Sequence, residues 1–189
     1  AANADSVVVQ VGRLVDVEHS KVLDDQAVTI VDGRITAVAP WNRDPDDGTR
    51  VVDWSAYTVT PGLMDMHSHL IGDLEGADEA APLKSTGARD ALMGAAHALA
   101  TLRAGFTTVR DVGTYRAYVD VALRDAINDG WVPGPRMWVA GAYVTVPGGG
   151  GEVTGTGLPV PDEFRRGVAK GPAQVRQRVD EILSNHADF

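Results

Sequence analysis

The chain has 189 residues, carries 17 basic and 26 acidic side chains for a formal net charge of −9, and contains no cysteine. No cluster of lysine and arginine interrupts this acidic balance, which argues against nucleic-acid binding, and no apolar run approaches the roughly 20 residues of a membrane span. Without cysteine, disulfides and thiolate metal ligands are both excluded.

The first part of the chain predicts a small unit made of β-strands. Its predicted strands are residues 7–11, 27–31, 34–39 and 51–54. The second and third of these flank Asp32-Gly33, which is a strong signal for a two-residue hairpin turn. We therefore expect residues 1–58 to form an all-β unit, which is too small and too rich in strand edges to be stable alone.

From about residue 58 onward, strand and helix patterns alternate, as is typical of an α/β fold with a parallel sheet. The predicted strands are residues 58–67, 106–112 and 136–141, and the predicted helices are residues 86–103, 116–128 and 172–185. Ser85 or Thr86 is suited to cap the first helix, and Gly105 to end it. Residues 59–189 are thus predicted to form three βα units and, at residues 187–189, the entry into a fourth strand.

One face of the first predicted helix is expected to pack on the sheet. Its apolar residues recur at helical spacing: they are Leu92, Ala95, Ala96, Leu99 and Leu102.

The end of the strand at residues 58–67 carries the most informative motif of the chain. Side chains alternate between the two faces of a strand, so Asp65, His67 and His69 are expected to point to one face, and Met66 and Ser68 to the other. Two imidazoles on one face offer two neutral nitrogen ligands to a single divalent cation. We therefore predict that His67 and His69 bind a metal. Asp65 is expected to orient one of these histidines, to lie beside the metal, or to pair with a lysine or arginine on the inward face.

Three further residues are candidates for the same site. Arg110 and Asp111 end the second predicted strand, where they would shape the pocket, hold a substrate carboxylate, or form a structural ion pair that locks the strand ends. Tyr143 follows the third strand and would line the pocket or be an ordinary loop aromatic. The remaining histidines, His19, His97 and His186, lie in a polar turn or on helices and are not expected to be ligands.

A glycine-rich segment follows the third predicted strand, at residues 147–152 and 154–157. It is not a phosphate-binding loop, because no Gly-Lys-Ser/Thr follows. We expect it to be either a mobile lid over the site or a loose connector.

The motifs resemble those of the amidohydrolase superfamily. Pro-Gly-Leu-Met-Asp-Met-His-Ser-His at residues 61–69 is similar to the family signature, and residues 28–38 are similar to its first hairpin. Residues 104–113 and 134–136 are similar to the branch that contains imidazolonepropionase-like enzymes, Xaa-Pro and Xaa-Arg dipeptidases and ochratoxin-type amidases. Relatives often carry Gly-Gly-His-Gly in the glycine-rich segment, where this chain has Gly150 in place of the histidine.

This resemblance implies a TIM-type (β/α)8 barrel with an accessory β-sandwich. A complete barrel needs about 250 residues, so we expect this chain to be the N-terminal half, with residues 1–58 as the N-terminal part of the sandwich. The missing C-terminal half of the same protein is the expected partner. The resemblance also implies one or two divalent metal ions, expected to be zinc, a carboxylated lysine beyond Phe189 and a homo-oligomer.

The function implied by the resemblance is metal-dependent hydrolysis of an amide bond in a small molecule. A dipeptidase or carboxypeptidase-like amidase acting on a dipeptide, or on an N-acyl amino acid such as ochratoxin, fits the branch. The catalytic general base is expected C-terminal to Phe189 and is not identified. The alternatives are a mononuclear deaminase or cyclic-amide hydrolase of the same superfamily, and a non-catalytic binding fragment.

The small residues at positions 1–4 are typical of a mature protein after removal of a signal peptide. They predict a periplasmic or secreted protein, and a cytoplasmic one is the alternative.

Overall fold

The computed structural model describes residues 6–42, 49–72, 78 and 80–189. It divides the chain into two compact units, Ala1–Pro61 and Gly62–Phe189, each with its own sheet. Within the described ranges, no helix is long and apolar enough to cross a membrane.

The first unit is a four-stranded sheet in the order β3-β2-β1-β4. Its strands are β1 Ser6–Asp16, β2 Lys21–Val31, β3 Arg34–Pro40 and β4 Arg50–Val59. β2 pairs antiparallel with β1 and with β3, whereas β4 runs parallel to β1. Asp32 and Gly33 both adopt positive φ, at 49° and 74°, which confirms the predicted hairpin turn.

One face of this sheet carries the apolar core of the first unit. Val9, Val28 and Val52 lie side by side across three strands, and Val9, Val11 and Val28 are buried. The described residues of this unit form one sheet, so its place in a β-sandwich stays a prediction. β4 continues through Val59, paired with β1, so the prediction that residue 58 opens the first barrel strand is wrong.

The second unit confirms the predicted alternation of strands and helices. Its elements are β5 Leu63–Ser68, α1 Ala81–Lys84, α2 Gly87–Arg103, β6 Phe106–Asp111, α3 Val119–Asn128, β7 Arg136–Val139, a 3₁₀ turn at Asp162–Phe164 and α4 Gly171–Ser184. β5, β6 and β7 form a parallel sheet in chain order. Beyond α4, the backbone amide of Asp188 donates to the carbonyl of Val139, 2.8 Å away, so the chain returns to the free side of β7.

α2 begins and ends where the sequence predicts. The Thr86 hydroxyl accepts a hydrogen bond from the Arg89 amide at 3.2 Å, and Gly105 follows the helix with a φ of 96°. The buried face differs from the prediction, because Leu92 is 75% exposed while Gly94 and Ala98 are buried. Small residues let this helix lie close to its neighbours, and the predicted apolar positions did not include Gly94 or Ala98.

The two faces of the sheet in the second unit have different surroundings. Val109 and Val139 are fully buried and pack with Ala98 and Leu123 of the helices. Their strand neighbours on the opposite face include Arg110 and the half-exposed Trp138. We call the face that carries Val109 and Val139 the helix-covered face, and the face that carries Arg110 and Trp138 the inner face. Functional side chains at the carboxyl ends of the strands are therefore separated by face.

Candidate metal and substrate site

The predicted histidine pair lies at the carboxyl end of β5. The rings of His67 and His69 are neighbours, with centroids 5.5 Å apart and planes at 77°. His67 is exposed and His69 is partly buried. Two imidazoles at this separation are close enough to approach one cation or two adjacent ones.

A β-bulge at the end of β5 corrects the prediction that Asp65 shares a face with the histidines. Asp65 is paired with Val109 and Ser68 with Asp111, so two residues on β5 lie opposite one residue on β6. Because the extra residue interrupts the alternation of side chains, Asp65 belongs to the helix-covered face, whereas His67 belongs to the inner face. The Asp65 carboxylate turns to accept the backbone amide of His67 at 3.0 Å. It thus fixes the backbone of a predicted ligand, and among the described residues it forms no hydrogen bond or ion pair with an imidazole.

The ring of His69 is oriented by two oxygen atoms. Its Nδ1 lies 2.9 Å from the carbonyl oxygen of Gly113 and 3.0 Å from the hydroxyl of Tyr143. A carbonyl oxygen can only accept, so Nδ1 donates to it, and in the neutral ring the lone pair then lies on Nε2. This is the tautomer that a histidine ligand uses when its other nitrogen donates to a carbonyl.

Asp111 holds the backbone around His69 from the helix-covered face. It is fully buried, and its carboxylate accepts the amide of Leu70 at 2.8 Å and the amide of Gly113 at 3.2 Å. Burial raises the pKa of Asp111, while these two hydrogen bonds act in the opposite direction. His97 on α2 contacts the carbonyl of Leu70 at 2.9 Å, so both polar groups of that residue are held.

The predicted ion pair between Arg110 and Asp111 does not form. Consecutive strand residues point to opposite faces, and Asp111 lies among backbone amides on the helix-covered face. Arg110 instead donates from Nε to the carbonyl of Met66 at 2.8 Å, and its guanidinium lies 5.5 Å from the ring centroid of Phe189. Asp111 therefore holds backbone amides on the helix-covered face, whereas Arg110 contacts Met66 and Phe189 on the inner face.

Asp120, which sequence analysis missed, is a second fully buried acid near Asp111. It lies in the first turn of α3 and accepts the amides of Gly141 at 2.8 Å and Val121 at 2.9 Å. Burial, reinforced by the negative charge of Asp111, raises the pKa of Asp120 to about 6. In the sequence, Asp120 is only an acid in the first turns of a predicted helix. That position does not indicate its hydrogen bond to Gly141, two residues after β7.

Tyr143 joins His69 to a neighbouring aromatic side chain. Its ring lies 5.7 Å from the His69 ring and 5.1 Å from that of Tyr115, both in edge-to-face arrangements. Gly113 adopts a φ of 125°, and a Cβ there would lie 2.7 Å from the Tyr143 ring, so only glycine fits beneath it. Burial raises the pKa of Tyr143, which keeps its hydroxyl protonated. The aromatic ring thus packs against the loop whose carbonyl orients His69.

The glycine-rich segment after β7 is folded back on itself. The buried Glu152 accepts the amide of Gly148 at 2.7 Å and pairs with Arg165 at 3.1 Å. Thr145 donates its amide to Gly167 and accepts the amide of Ala169, forming a short parallel bridge. The prediction of a mobile lid or a loose connector did not anticipate these anchors, which give the segment a defined conformation beside Tyr143.

Arg116, also missed from the sequence, connects three of the loops around the site. Its guanidinium pairs with the buried Asp90 at 2.9 Å and with Glu163, and donates to the carbonyl of Ser85 at 2.8 Å. It also lies 4.5 Å from the ring centroid of Phe164. Arg116 therefore fastens the loops after β5, β6 and β7 to one another.

The donor set of His67 and His69 fits part of a metal site. Among the described residues, no group of three or more histidine, aspartate or glutamate side chains could hold a metal ion. His19 pairs with Asp16 in the first unit, and His97 contacts the chain at Leu70. Two neighbouring imidazoles, one of them oriented through its Nδ1, suit a divalent cation, and further ligands from outside the described residues would be needed to hold it.

The sequence model of the Amidohydrolase family matches residues 58–188, and the chain therefore belongs to that family. The family resemblance of the motifs at residues 61–69 is thereby confirmed. The chain is 33% identical over 99 residues to the imidazolonepropionase of Haloarcula marismortui, a match that covers 49% of this chain and 24% of that protein.

Solved structures with the same fold include a Xaa-Pro dipeptidase and an ochratoxinase. A Xaa-Pro dipeptidase with methionine bound in its active site is 30% identical, with a TM-score of 0.82 over 97% of this chain and 45% of the other. The ochratoxinase of A. niger is 24% identical, with a TM-score of 0.75 over the same shares, which shows a shared fold. The chain thus spans less than half the length of these relatives.

Proposed function

We propose that this chain is the N-terminal half of a metal-dependent amidohydrolase that cleaves an amide bond in a small molecule, such as a dipeptide or an N-acyl amino acid. A C-terminal half would complete the (β/α)8 barrel and the accessory β-sandwich, and would supply the remaining metal ligands and the general base. We call the two halves together the full-length protein. Family membership and the likeness to a Xaa-Pro dipeptidase support this proposal.

The observation that carries the proposal is the state of the His69 ring. Its Nδ1 proton is held by the Gly113 carbonyl at 2.9 Å, so Nε2 is available as a ligand, and the His67 ring is its neighbour. One or two divalent ions, zinc in this proposal, would polarise the amide carbonyl and make water more acidic. With two ions, a carboxylated lysine from the fourth strand would bridge them. In this proposal, the chain positions His67 and His69 as metal ligands in the metal-free protein.

The test is to replace each histidine in the full-length protein and to measure bound metal and hydrolysis together. His67→Ala and His69→Ala should each lose most of the bound zinc and the hydrolysis of N-acyl amino acids, with little change in the circular dichroism spectrum. His19→Ala, in the exposed turn of the first unit, is the matched control and should retain both. If the double variant keeps its metal and its turnover, the metal assignment is wrong.

A second candidate is a mononuclear cyclic-amide hydrolase or deaminase, which the match to an imidazolonepropionase favours. Elemental analysis of the full-length protein tests this candidate, because the bridged form of the first candidate holds two metal ions and the second candidate holds one, so a count of two excludes the second. A protein that binds no metal after reconstitution would contradict both candidates and favour a non-catalytic binding role.

A further inference from the structure

Arg110 is anchored at the site by an atom that leaves most of its guanidinium available. It ends β6 on the inner face, and its Nε donates to the carbonyl of Met66, the residue before His67, at 2.8 Å. Met66 lies in the β-bulge of β5, where the irregular pairing leaves its carbonyl available to a side chain. The ring of Phe189 lies against the guanidinium at 5.5 Å and limits where the side chain can turn.

The two terminal nitrogens of Arg110 differ from those of the other anchored arginines of this unit. Arg116 pairs with Asp90 and Glu163, and Arg124 pairs with Asp125 and Asp188. Within the part of the chain that the structure describes, Nη1 and Nη2 of Arg110 have neither a hydrogen bond nor an ion pair. The nearby acid on β6, Asp111, is turned to the opposite face and occupied by backbone amides.

We propose that Arg110 binds a free carboxylate of the substrate and thereby sets the scissile amide beside His67 and His69. A guanidinium fixed through Nε presents its two remaining nitrogens as a planar fork, which matches the two oxygens of a carboxylate. This inference rests on the proposed function and restricts it, since the substrates become amides that carry a carboxylate near the bond that is cleaved.

The restriction has a chemical consequence that can be measured. An N-acyl amino acid and its C-terminal carboxamide have the same scissile bond and nearly the same shape, and differ in the charge that Arg110 would bind. A charge-assisted pair of hydrogen bonds in a partly desolvated site supports a preference of about 100-fold in kcat/KM for the acid over the carboxamide. Most of the difference should lie in KM if the carboxylate is held equally in the ground state and the transition state.

The experiment is a cycle of two substrates and four forms of the full-length protein: wild type, Arg110→Met, Arg110→Lys and Arg103→Met. Arg110→Met keeps the length of the side chain and removes the charge, so the preference should fall to about one, through loss of activity on the acid alone. Arg110→Lys keeps a charge without the fork and should retain about a tenth of the preference. Arg103, exposed in the last turn of α2, is the matched control and should not change the ratio.

The ratio of the two substrates is taken on one preparation, so partial unfolding of a variant cannot change it. An unaltered ratio in Arg110→Met would overturn the inference, as would a wild-type protein that cleaves both substrates equally. If the wild type cleaves neither, the proposed function has failed, and calorimetry with the free amino acid decides the inference by itself. Binding to the wild type that is lost in Arg110→Met supports the carboxylate site, and equal binding by both contradicts it.

Discussion

The carboxylate of Asp111 lies 2.8 Å from the backbone nitrogen of Leu70, so a buried acid at the end of β6 holds the residue that directly follows His69. The same carboxylate accepts the amide of Gly113, whose carbonyl orients the His69 ring. A single side chain thus holds both the residue that follows a predicted ligand and the loop whose carbonyl orients that ligand's ring.

We expect Asp111→Ala in the full-length protein to lower the free energy of unfolding by about 3 kcal/mol, because two buried amides lose their acceptor. Urea unfolding measures the change. Asp129→Ala, at the exposed end of α3, is the control and should stay within about 0.5 kcal/mol of the wild type. Equal stabilities of the two variants would contradict the role of Asp111.

Tyr143→Phe should weaken metal binding while leaving the fold intact. The variant keeps the ring that packs on Gly113 and Tyr115 but removes one of the two oxygens near Nδ1 of His69. We expect the affinity for zinc or cobalt to fall about tenfold, measured by competition with a chelator. Tyr115→Phe loses only a 3.4 Å contact to the Gly150 carbonyl and serves as the control. Identical affinities would show that the Gly113 carbonyl alone orients the ring.

Asp120 should make stability depend on pH between about 4 and 6. Burial raises its pKa from 3.8 to about 6 in the folded state, so the folded protein binds this proton more tightly than the unfolded chain does. The free energy of unfolding should therefore fall as pH rises through this range, by on the order of 3 kcal/mol in total. Asp120→Asn cannot titrate and should lack this decline.

The measurement for Asp120 is urea unfolding of the wild type and Asp120→Asn from pH 4 to pH 7. Groups other than Asp111, whose charge is coupled to that of Asp120, are expected to titrate alike in both proteins, so the difference between the two profiles reports the titration of Asp120 together with its coupling to Asp111. Parallel profiles would mean that Asp120 ionises normally in the fold.

Arg116→Met should be among the most destabilising single changes in the second unit. It leaves the carboxylate of Asp90, only 5% exposed, buried without its partner, which costs about 3–5 kcal/mol. Arg116→Met combined with Asp90→Leu removes both charges and should recover much of that loss. Arg176→Met, on the exposed side of α4, is the single-substitution control. If the double variant is no more stable than Arg116→Met, the loss of the Arg116–Asp90 ion pair is not the cause of the lower stability.

The elements were predictable because their signals are local. Asp32-Gly33 encodes a turn by its own conformational preferences, and Thr86 and Gly105 mark the ends of a helix that needs no distant partner to be recognised. The pairing of His67 with His69 was likewise visible, since two residues separated by one position tend to share a face.

The inner arrangement of the site was less predictable because it depends on neighbouring strands and on burial. The face of Asp65 is decided by a bulge that exists only in the pairing of β5 with β6. Asp111, Asp120 and Arg116 acquire their roles from partners more than 20 residues away, such as Leu70, Gly141 and Asp90. No periodicity in one sequence contains those contacts.

The glycines of the glycine-rich segment differ in how much space they leave for a side chain, which decides where this wall of the site can change during evolution. A side chain at Gly149 would meet Thr145 at 2.3 Å, and one at Gly151 would meet Tyr143 at 2.5 Å, so those two positions are closed to larger residues. Gly150 between them has nothing within 4 Å of a Cβ and no positive φ. A histidine at position 150, which the family resemblance led us to expect in this segment, would therefore fit without displacing the neighbouring residues.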